Sequence, residues 1–302
     1  MIKPGIYYDM SNADYHGDPD SLSSSGAKLL AREGGAALFH YQQTHPVQPT
    51  PAMEFGTAAH AWILEGIEPI VFEPGIKFEG LDGKEYTLTK GRDTKAGRAF
   101  AELQAEKHPG IPIVSRSDYE HLAGMREAVL NNLETARLLA LPGRSEVSIF
   151  WKTDKGVTLK CRPDYLPDEK DPELGYRPII DLKTTTDATR DGFRRSAIKF
   201  GYHQSAAWYM EGLAKAGIDN AAQMVFIAVE KTPPYLVGVY YFDDEALLVG
   251  NDENCRAVDT YISCRALDIW PGVPERPRSL RIKPYEIPGS CREVLEANGY
   301  AQ

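Results

Sequence analysis

Asp181 and Lys183 are the residues whose types and spacing most directly suggest chemistry. They lie in residues 179–185 (IIDLKTT), a run that predicts a short buried strand. Because alternate side chains of a strand face opposite ways, Asp181 and Lys183 share one face, and Ile180 and Leu182 share the other. The acid could ligate a hard divalent cation, and the amine could hold the attacking water or the scissile phosphate. The pair is consistent with metal-assisted hydrolysis, although a simple ion pair is the commoner meaning of Asp-x-Lys.

A second acid stands on the preceding predicted strand, residues 157–166 (VTLKCRPDYL). On it, Asp164 has the same parity as Lys160 and Arg162. If this strand pairs with residues 179–185, Asp164 and Asp181 meet on one polar face, where paired carboxylates bind divalent cations. The alternative is a pair of unrelated surface acids.

Two further side chains are candidates for the same site. Glu146 has polar-face parity on the predicted strand 146–151, and is either a further ligand or an ion-pair partner of Lys160. His60 lies on an alanine-rich predicted helix, 53–66, beside the small residues Gly56 and Thr57. Imidazole suits Mn²⁺ better than Mg²⁺, but a packed core histidine is the alternative.

The long predicted helix that follows, at about 187–216, combines basic residues with aromatic and amide groups. The basic side chains could hold phosphates, and the others could position a nucleic-acid strand. A solvated basic face is the alternative. The candidates are Arg190, Arg194, Arg195, Lys199, Tyr202, Gln204 and Tyr209.

Composition sets broad limits. The 302 residues are 42% hydrophobic and 25% charged, as in ordinary globular proteins, and no apolar run approaches a membrane span. The first residues lack the apolar core of a signal peptide, so we expect a cytoplasmic protein. The net charge of −9 argues against a passive nucleic-acid binder but not against a nuclease, because bound cations neutralise ligand carboxylates.

Cysteine spacing excludes some metal sites. None of the four cysteines forms a Cys-x-x-Cys pair, which argues against a zinc ribbon or the usual cluster spacing. We expect reduced thiols, with Cys161 buried.

The chain is expected to divide into a mainly helical part, 1–141, an α/β core, 142–270, and an extended tail, 271–302, within one domain. Residues 1–20 are expected to be irregular. Helices are predicted at 26–30, 36–41, 53–66, 94–107, 117–141, 187–216 and 244–270. Strands are predicted at 146–151, 157–166, 179–185, 224–229 and 236–242.

In this order, the parts resemble the PD-(D/E)xK nuclease superfamily, and within it the exonuclease VIII (RecE-like) family of phage and prophage proteins. The resemblance spans most of the chain. Its motifs are GIYY (5–8), ADYH (13–16), LSSSGAKLL (22–30), FGTAAH (55–60), EVS (146–148), RPD (162–164), IDLKTT (180–185) and GYH (201–203).

The resemblance implies roles for particular residues. Asp164 and Asp181 would be the metal-binding acids, with the backbone carbonyl of Leu182 as a further ligand. Lys183 would be the superfamily lysine, and His60 matches a histidine that lies at the metal site in related nucleases. The implied cofactor is Mg²⁺ or Mn²⁺, with two ions per site.

One position departs from the family pattern. The family places a glutamine three residues after the tyrosine at position 202, where this chain has Ser205, whereas Tyr209 stands where expected. Gln204 comes one residue early, a rotation of ~100° on a helix. Its role in positioning DNA is therefore in doubt.

The expected fold is a restriction-endonuclease-like α/β core with a mixed central sheet flanked by helices. The resemblance implies a metal-dependent exonuclease that digests double-stranded DNA ends 5′→3′ and leaves 3′ single strands for a phage annealing protein. It also implies a ring-shaped homo-oligomer. The alternatives are an inactive DNA- or protein-binding module on the same fold, and a single-strand-specific nuclease of the superfamily. Such nucleases often carry a cysteine-bound iron–sulfur cluster, for which the spacing here is unsuited.

Overall fold

The computed structural model describes residues 2–274, 276, 279–280, 288–289 and 291–292. The elements before residue 142 are β1 (Gly5–Tyr7), α1 (Asn12–Gly17), β2 (Leu22–Ser23), α2 (Ser24–Leu30), α3 (Gly35–Thr44), α4 (Pro51–Leu64), β3 (Ile70–Phe72), β4 (Lys77–Glu79), β5 (Glu85–Thr87), α5 (Lys95–Lys107), β6 (Ile113–Ser115), α6 (Arg116–Asn131) and α7 (Leu133–Leu139). The expectation of an irregular lead-in is wrong, since β1 and α1 form there.

The elements after residue 142 are β7 (Gly143–Ser145), β8 (Ser148–Lys152), β9 (Thr158–Cys161), β10 (Tyr165–Pro167), β11 (Pro178–Thr185), α8 (Arg190–Lys199), α9 (Tyr202–Lys215), β12 (Gln223–Glu230), β13 (Val237–Tyr240) and α10 (Asp244–Leu267). Every predicted strand is present in at least part of its length.

Two predicted helices are each broken in the middle. The helix predicted at 117–141 ends at Asn131, and the side chain of Asn132 then caps α7 by accepting hydrogen bonds from the N–H groups of Glu134 and Thr135, both at 3.2 Å. The helix predicted at 187–216 divides into α8 and α9 at Gly201, whose φ of 65° lies in the left-handed region. Helical periodicity continues across both breaks, which is why it did not reveal them.

The central sheet has the strand order β13-β12-β11-β10-β7. Strand β11 is parallel to β12, with Asp181 opposite Phe226, and antiparallel to β10. A second sheet has the order β1-β8-β9-β2. The part of the chain before residue 142 therefore supplies two strands of this second sheet as well as helices.

One bent hairpin connects the two sheets. Its lower half pairs β7 with β10, and its upper half pairs β8 with β9. Tyr165 is opposite Ser145 and Cys161 is opposite Ile149, so a single register runs through both halves. The predicted strand 157–166 is interrupted at 162–164, where Pro163 has no N–H group for the ladder.

The central strands are buried on both faces. Ile180 and Leu182 pack into a core with α4 and α6 residues, such as Leu122. Ile179 and Phe226 pack into a second core, on the side of α9 and α10. The predicted alternation of side chains along β11 is confirmed, and it leaves Asp181 and Lys183 on the side of the second core.

The predicted C-terminal tail lies mostly outside the described residues. At its start, the carbonyl of Pro271 accepts a hydrogen bond from the N–H of Ala37 in α3 at 3.2 Å. No helix in the described part of the chain is both long and apolar enough to cross a membrane.

Candidate active site

Asp164 and Asp181 are brought together by the pairing of β10 with β11. The N–H of Leu182 donates a hydrogen bond to Oδ2 of Asp164 at 2.9 Å, so the Asp164 carboxylate is fixed against the strand that carries Asp181. Burial raises the pKa of Asp181, the ammonium group of Lys183 opposes this, and the charge of Asp164 raises it further. Two carboxylates thus approach each other at the border between the two sheets.

Lys183 forms an ion pair with Asp181, as expected for two residues on one face of a strand. Burial by itself would lower the pKa of Lys183, but the carboxylates of Asp181 and Asp164 outweigh this effect and raise it. Lys183 is therefore a protonated ammonium group across the physiological pH range.

His60 reaches the same place from α4. Its Nε2 donates a hydrogen bond to the backbone carbonyl of Leu182 at 2.6 Å, and its Nδ1 lies 3.3 Å from Oδ2 of Asp164. His60 is thus a partner of both a carboxylate and the carbonyl that the resemblance implicates as ligands.

Glu146 stands directly opposite Asp164, because the register of the bent hairpin continues through both residues. The N–H of Glu146 donates to the carbonyl of Asp164 at 3.4 Å, and φ of Glu146 is 56°, a left-handed conformation that is uncommon for glutamate. Burial, followed by the charge of Asp164, raises the pKa of Glu146 to about 7.

The alternative ion pair between Glu146 and Lys160 is wrong. Glu146 Oε2 instead lies 3.6 Å from Nη1 of Arg162. Lys160 donates hydrogen bonds to the carbonyls of Tyr15 and Asp18, at 2.6 and 3.1 Å. Lys160 therefore points toward the N-terminal segment, away from Glu146.

A cavity of about 790 Å³ opens beside these residues. Strand β11 and the bent hairpin contribute Asp164, Asp181, Lys183 and Glu146 to its wall. Helix α9 contributes Tyr202, Ser205 and Tyr209. The hydroxyl of Tyr209 donates to the carbonyl of Arg162 at 3.3 Å, which places the ring next to the Asp164 corner.

Gln204 is a correction to the predicted site, because it does not line this cavity. It is buried, and its backbone carbonyl accepts a hydrogen bond from Nδ2 of Asn254 in α10 at 3.0 Å. Ser205 occupies the cavity wall instead, and its hydroxyl accepts a hydrogen bond from Ser24 at 3.2 Å. The one-residue offset along the helix thus leaves the amide of Gln204 out of the cavity wall.

The four basic residues of α8 are exposed, but they do not line the cavity. Arg194 lies 3.9 Å from Asp191, and Arg195 lies 3.5 Å from Asp187. Arg190 and Arg194 border a separate cavity of about 420 Å³. Arg190, Arg194, Arg195 and Lys199 could therefore meet a nucleic acid only outside the cavity that contains the carboxylates.

Sequence reasoning missed three polar residues of this region. Arg162 is buried and binds Ser148, while its guanidinium also lies near Glu146. Burial raises the pKa of Glu65, the charge of His60 lowers it, and the charge of Asp164 raises it. Lys28 of α2 lines the cavity opposite β11. Strand parity predicts that Arg162 shares a face with Asp164. No sequence pattern predicts Glu65 and Lys28, because they reach this region through the packing of helices.

The donor set fits a hard divalent cation. The carboxylates of Asp164, Asp181 and Glu146 and the Leu182 carbonyl are oxygen donors, and His60 adds an imidazole. Burial raises the pKa values of Asp181 and Glu146, and the charge of Asp164 raises both further, an unfavourable situation that a bound cation would relieve. Within the described residues, no group of three or more acidic, histidine or cysteine side chains is already arranged to hold an ion.

Comparisons with known proteins place this geometry in a family. Residues 23–282 match the model of a family described as a PDDEXK-like domain of unknown function (DUF3799). No curated protein matches the chain. A solved structure from Eubacterium rectale, to which exonuclease activity has been ascribed, aligns over 98% of this chain and 100% of its own, at 12% identity and a TM-score of 0.60.

A second solved structure, a phage-related exonuclease from Haemophilus somnus 129PT, aligns over 82% of this chain and 96% of its own at 14% identity, with a TM-score of 0.31. The family match covers most of the chain, and the Eubacterium rectale structure shares its fold. The predicted restriction-endonuclease-like fold is therefore confirmed, and the chain belongs to the family of PDDEXK-like domains.

Proposed function

We propose that this protein is a metal-dependent nuclease that hydrolyses phosphodiester bonds of DNA. The observation that carries the proposal is the convergence of Asp164, Asp181 and Lys183 on one cavity, fixed by the Leu182 N–H bond to Asp164. Family membership supports it, as does the exonuclease activity ascribed to the structurally similar Eubacterium rectale protein.

Asp164, Asp181, the Leu182 carbonyl, His60 and Glu146 would hold one or two ions of Mg²⁺ or Mn²⁺. Such an ion, when bound, supplies Lewis acidity and lowers the pKa of water. Lys183 remains protonated beside the carboxylates, so it orients the nucleophile and offsets charge on the phosphate. His60 holds the Leu182 carbonyl and the Asp164 carboxylate in fixed positions.

The DNA strand would lie against the α9 wall of the cavity. Tyr202 and Tyr209 offer aromatic surface there. The exposed basic residues of α8 would contact backbone phosphates farther from the reacting bond. Gln204 is not included, because it is buried and does not line the cavity.

The proposal is tested by incubating purified protein and linear duplex DNA with Mg²⁺, with Mn²⁺, or with a chelator. Asp181→Asn and Lys183→Met should each lower the cleavage rate by about 10²–10³-fold. Asp252→Asn, an exposed residue of α10 paired with Arg256, is the matched control and should cut normally. Intact DNA with both metals, or full activity in the two site variants, would refute the proposal.

Titration calorimetry with Mn²⁺ separates this nuclease from an inactive module on the same fold. A nuclease should bind the ion, and Asp181→Asn should weaken that binding by at least tenfold, because a charged ligand is lost. An inactive module is expected to bind Mn²⁺ weakly or not at all.

We further propose that the enzyme digests double-stranded ends 5′→3′ and leaves a 3′ strand for a single-strand annealing protein. Duplexes labelled at the 5′ or the 3′ end distinguish the polarities: 5′→3′ digestion releases the 5′ label early in short products, while the 3′ label remains in long ones. Equal digestion of single-stranded DNA would favour the alternative single-strand-specific nuclease.

We also propose a ring-shaped homo-oligomer located in the cytoplasm. A ring that encloses its product strand would account for processive digestion. Light scattering during gel filtration measures the mass of the assembly, and a monomer that still digests processively would contradict the ring.

A further inference from the structure

Lys28, which comes from α2, shares a tyrosine with Lys183 of the catalytic strand. The Nζ atom of Lys28 lies 5.7 Å from the centre of the Tyr202 ring, and that of Lys183 lies 5.4 Å from the same centre. Both side chains line the cavity that contains Asp164 and Asp181. Two ammonium groups, one from α2 and one from β11, therefore lie near the same aromatic ring.

The position of Lys28 depends on Gly201, at the break between α8 and α9. A β-carbon at Gly201 would lie 3.2 Å from Cδ and 3.6 Å from Cγ of Lys28. The absence of a side chain there lets the aliphatic part of Lys28 lie against the backbone. The stem is thus packed, while the charged end faces the cavity.

No described residue forms a salt bridge or hydrogen bond with Lys28, although the carboxylate of Asp181 is near enough to act on its charge. Lys183, by contrast, is paired with Asp181. Burial, followed by the like charge of Lys183, lowers the pKa of Lys28 to about 8, and the carboxylate of Asp181 only partly opposes this. A partly buried cation next to a second cation is unfavourable until an anion arrives.

From this geometry we propose that Lys28 binds a backbone phosphate of the DNA, next to the phosphate that Lys183 meets, and so positions the strand in the cavity. The inference rests on the proposed function and extends it. Since Lys28 and Lys183 share Tyr202, their phosphate targets are neighbours on one strand. Lys28 is a positioning residue, because it acts on the strand and not on the scissile bond.

The test measures DNA affinity separately from cleavage. In an Asp181→Asn background, which keeps the DNA intact, the dissociation constant for a short duplex is measured between about 50 and 200 mM salt. Loss of one phosphate contact lowers the slope of log affinity against log salt by about 0.9 for duplex DNA, or about 0.7 if the contacted strand is single. We expect this loss for Lys28→Met, which keeps the stem length, and a slope near the parental value for Lys28→Arg.

Lys215→Met is the matched control. Lys215 lies at the far end of α9, roughly 20 Å from Tyr202 at 1.5 Å per residue, and it faces Asp154 at 3.6 Å. The slope of log affinity against log salt for Lys215→Met should equal that of the parent. Thermal unfolding of each variant shows whether a change in affinity reflects misfolding.

A duplex with one uncharged methylphosphonate linkage, moved along the strand, locates the contact without altering the protein. At the linkage that Lys28 contacts, removal of the phosphate charge should lower the affinity of the parent. The same change should not lower the affinity of Lys28→Met further, because that variant already lacks the contact. Lys28→Arg, which keeps the charge, should show the parental loss at that linkage, so a comparison remains if Lys28→Met is unstable. Unchanged slopes in Lys28→Met, or equal losses at every linkage in both proteins, would overturn the role of Lys28.

The outcomes also separate this inference from the proposed function. Cleavage by the unmodified protein with no effect of Lys28→Met retains the nuclease and rejects the lysine contact. A lower salt slope in Lys28→Met, without any cleavage by the unmodified protein, supports the phosphate contact and rejects the nuclease activity. An Asp181→Asn parent that does not bind DNA, together with an unmodified protein that does not cleave it, rejects both.

Discussion

Glu146, in the candidate site, has two energetically unfavourable features. Its φ of 56° is a left-handed conformation, which costs a non-glycine residue about 1–2 kcal/mol. Its carboxylate faces Asp164 and is partly buried, which raises its pKa. Strain of this kind persists where the surrounding structure imposes it, and often at functional sites. The conformation points to a role for Glu146 in the site.

Substitution of Glu146 should separate stability from activity. Glu146→Gly removes the left-handed penalty, so we expect about 1 kcal/mol of added stability in urea unfolding. Nuclease activity should fall at least about tenfold, since a charged group is lost from the site.

Glu146→Gln is the companion variant, because it keeps the strained backbone and removes only the charge. It should lose activity without the gain in stability that glycine gives. If Glu146→Gly cuts DNA at the normal rate, Glu146 has no part in the reaction.

At the scale of elements, the interruptions of the predicted helix 187–216 and of the predicted strand 157–166 position the residues of the site. Gly201 ends α8 and starts α9 at an angle, which places Tyr202 against Lys183 and Lys28. The interruption of the hairpin at residues 162–164 places Asp164 at the border of the two sheets. An uninterrupted strand would carry Asp164 within one sheet instead.

Gly201→Ala should therefore be costly. The new methyl group meets Lys28 at 3.2 Å, and alanine is strained at a φ of 65°. We expect a loss of about 1–2 kcal/mol in the free energy of unfolding, measured with urea. Gly217→Ala also places alanine at a positive φ, but in open space, and it separates backbone strain from the contact with Lys28. Equal effects of the two variants would show that the contact is unimportant.

The loop between β10 and β11 is held by Asp171, whose carboxylate is fully buried. Oδ1 accepts hydrogen bonds from the N–H groups of Glu173 and Leu174 at 2.8 and 3.0 Å, and Oδ2 pairs with Arg137 of α7. Burial would raise the pKa of Asp171, but these partners outweigh it and lower the pKa below its usual 3.8.

This lowered pKa makes the loop contribution dependent on pH. A group with a depressed folded-state pKa stabilises the protein above its unfolded-state value, and the stabilisation is lost as pH falls through the folded-state value. Asp171→Asn should cost about 2 kcal/mol at neutral pH, because the charge-assisted hydrogen bonds of the buried carboxylate are weakened while Arg137 keeps Glu134 as a partner. The difference from wild type should shrink as the pH falls below about 4.

Urea unfolding at several pH values measures this difference, with Asp252→Asn as a surface control whose ion pair is exposed. A difference that stays constant down to low pH would show that the Asp171 charge does not matter.

At the scale of the whole molecule, negative charge is gathered where a cation could be bound. The chain carries a net charge of −9, and at the border of the sheets burial and then the charge of Asp164 raise the pKa values of Asp181 and Glu146. Helices on both faces of the central sheet hold these groups in place. Occupation by a divalent ion should thus stabilise the folded state.

Thermal unfolding with and without Mn²⁺ tests this linkage. An ion at 100 times its dissociation constant adds about 2.7 kcal/mol, because it binds the folded state only. We expect a rise in melting temperature for wild type and little change for Asp181→Asn. An equal rise in both proteins would locate the ion elsewhere.

The sequence alone determined the order of strands and helices, the shared face of Asp181 and Lys183, and the family resemblance. These features depend on local periodicity and on motif order, which a sequence contains directly. Asp164, His60 and Glu146 could be nominated in the same way, from parity and motif.

Only the tertiary structure decided which nominated residues meet. The break at Gly201 and the one-residue offset turned Gln204 into the core and Ser205 toward the cavity. The packing of α2 against α9 brought in Lys28, 155 positions before Lys183 in the chain. Contacts of this kind depend on how helices pack on a sheet, and neither the periodicity of one segment nor the spacing of a motif encodes them.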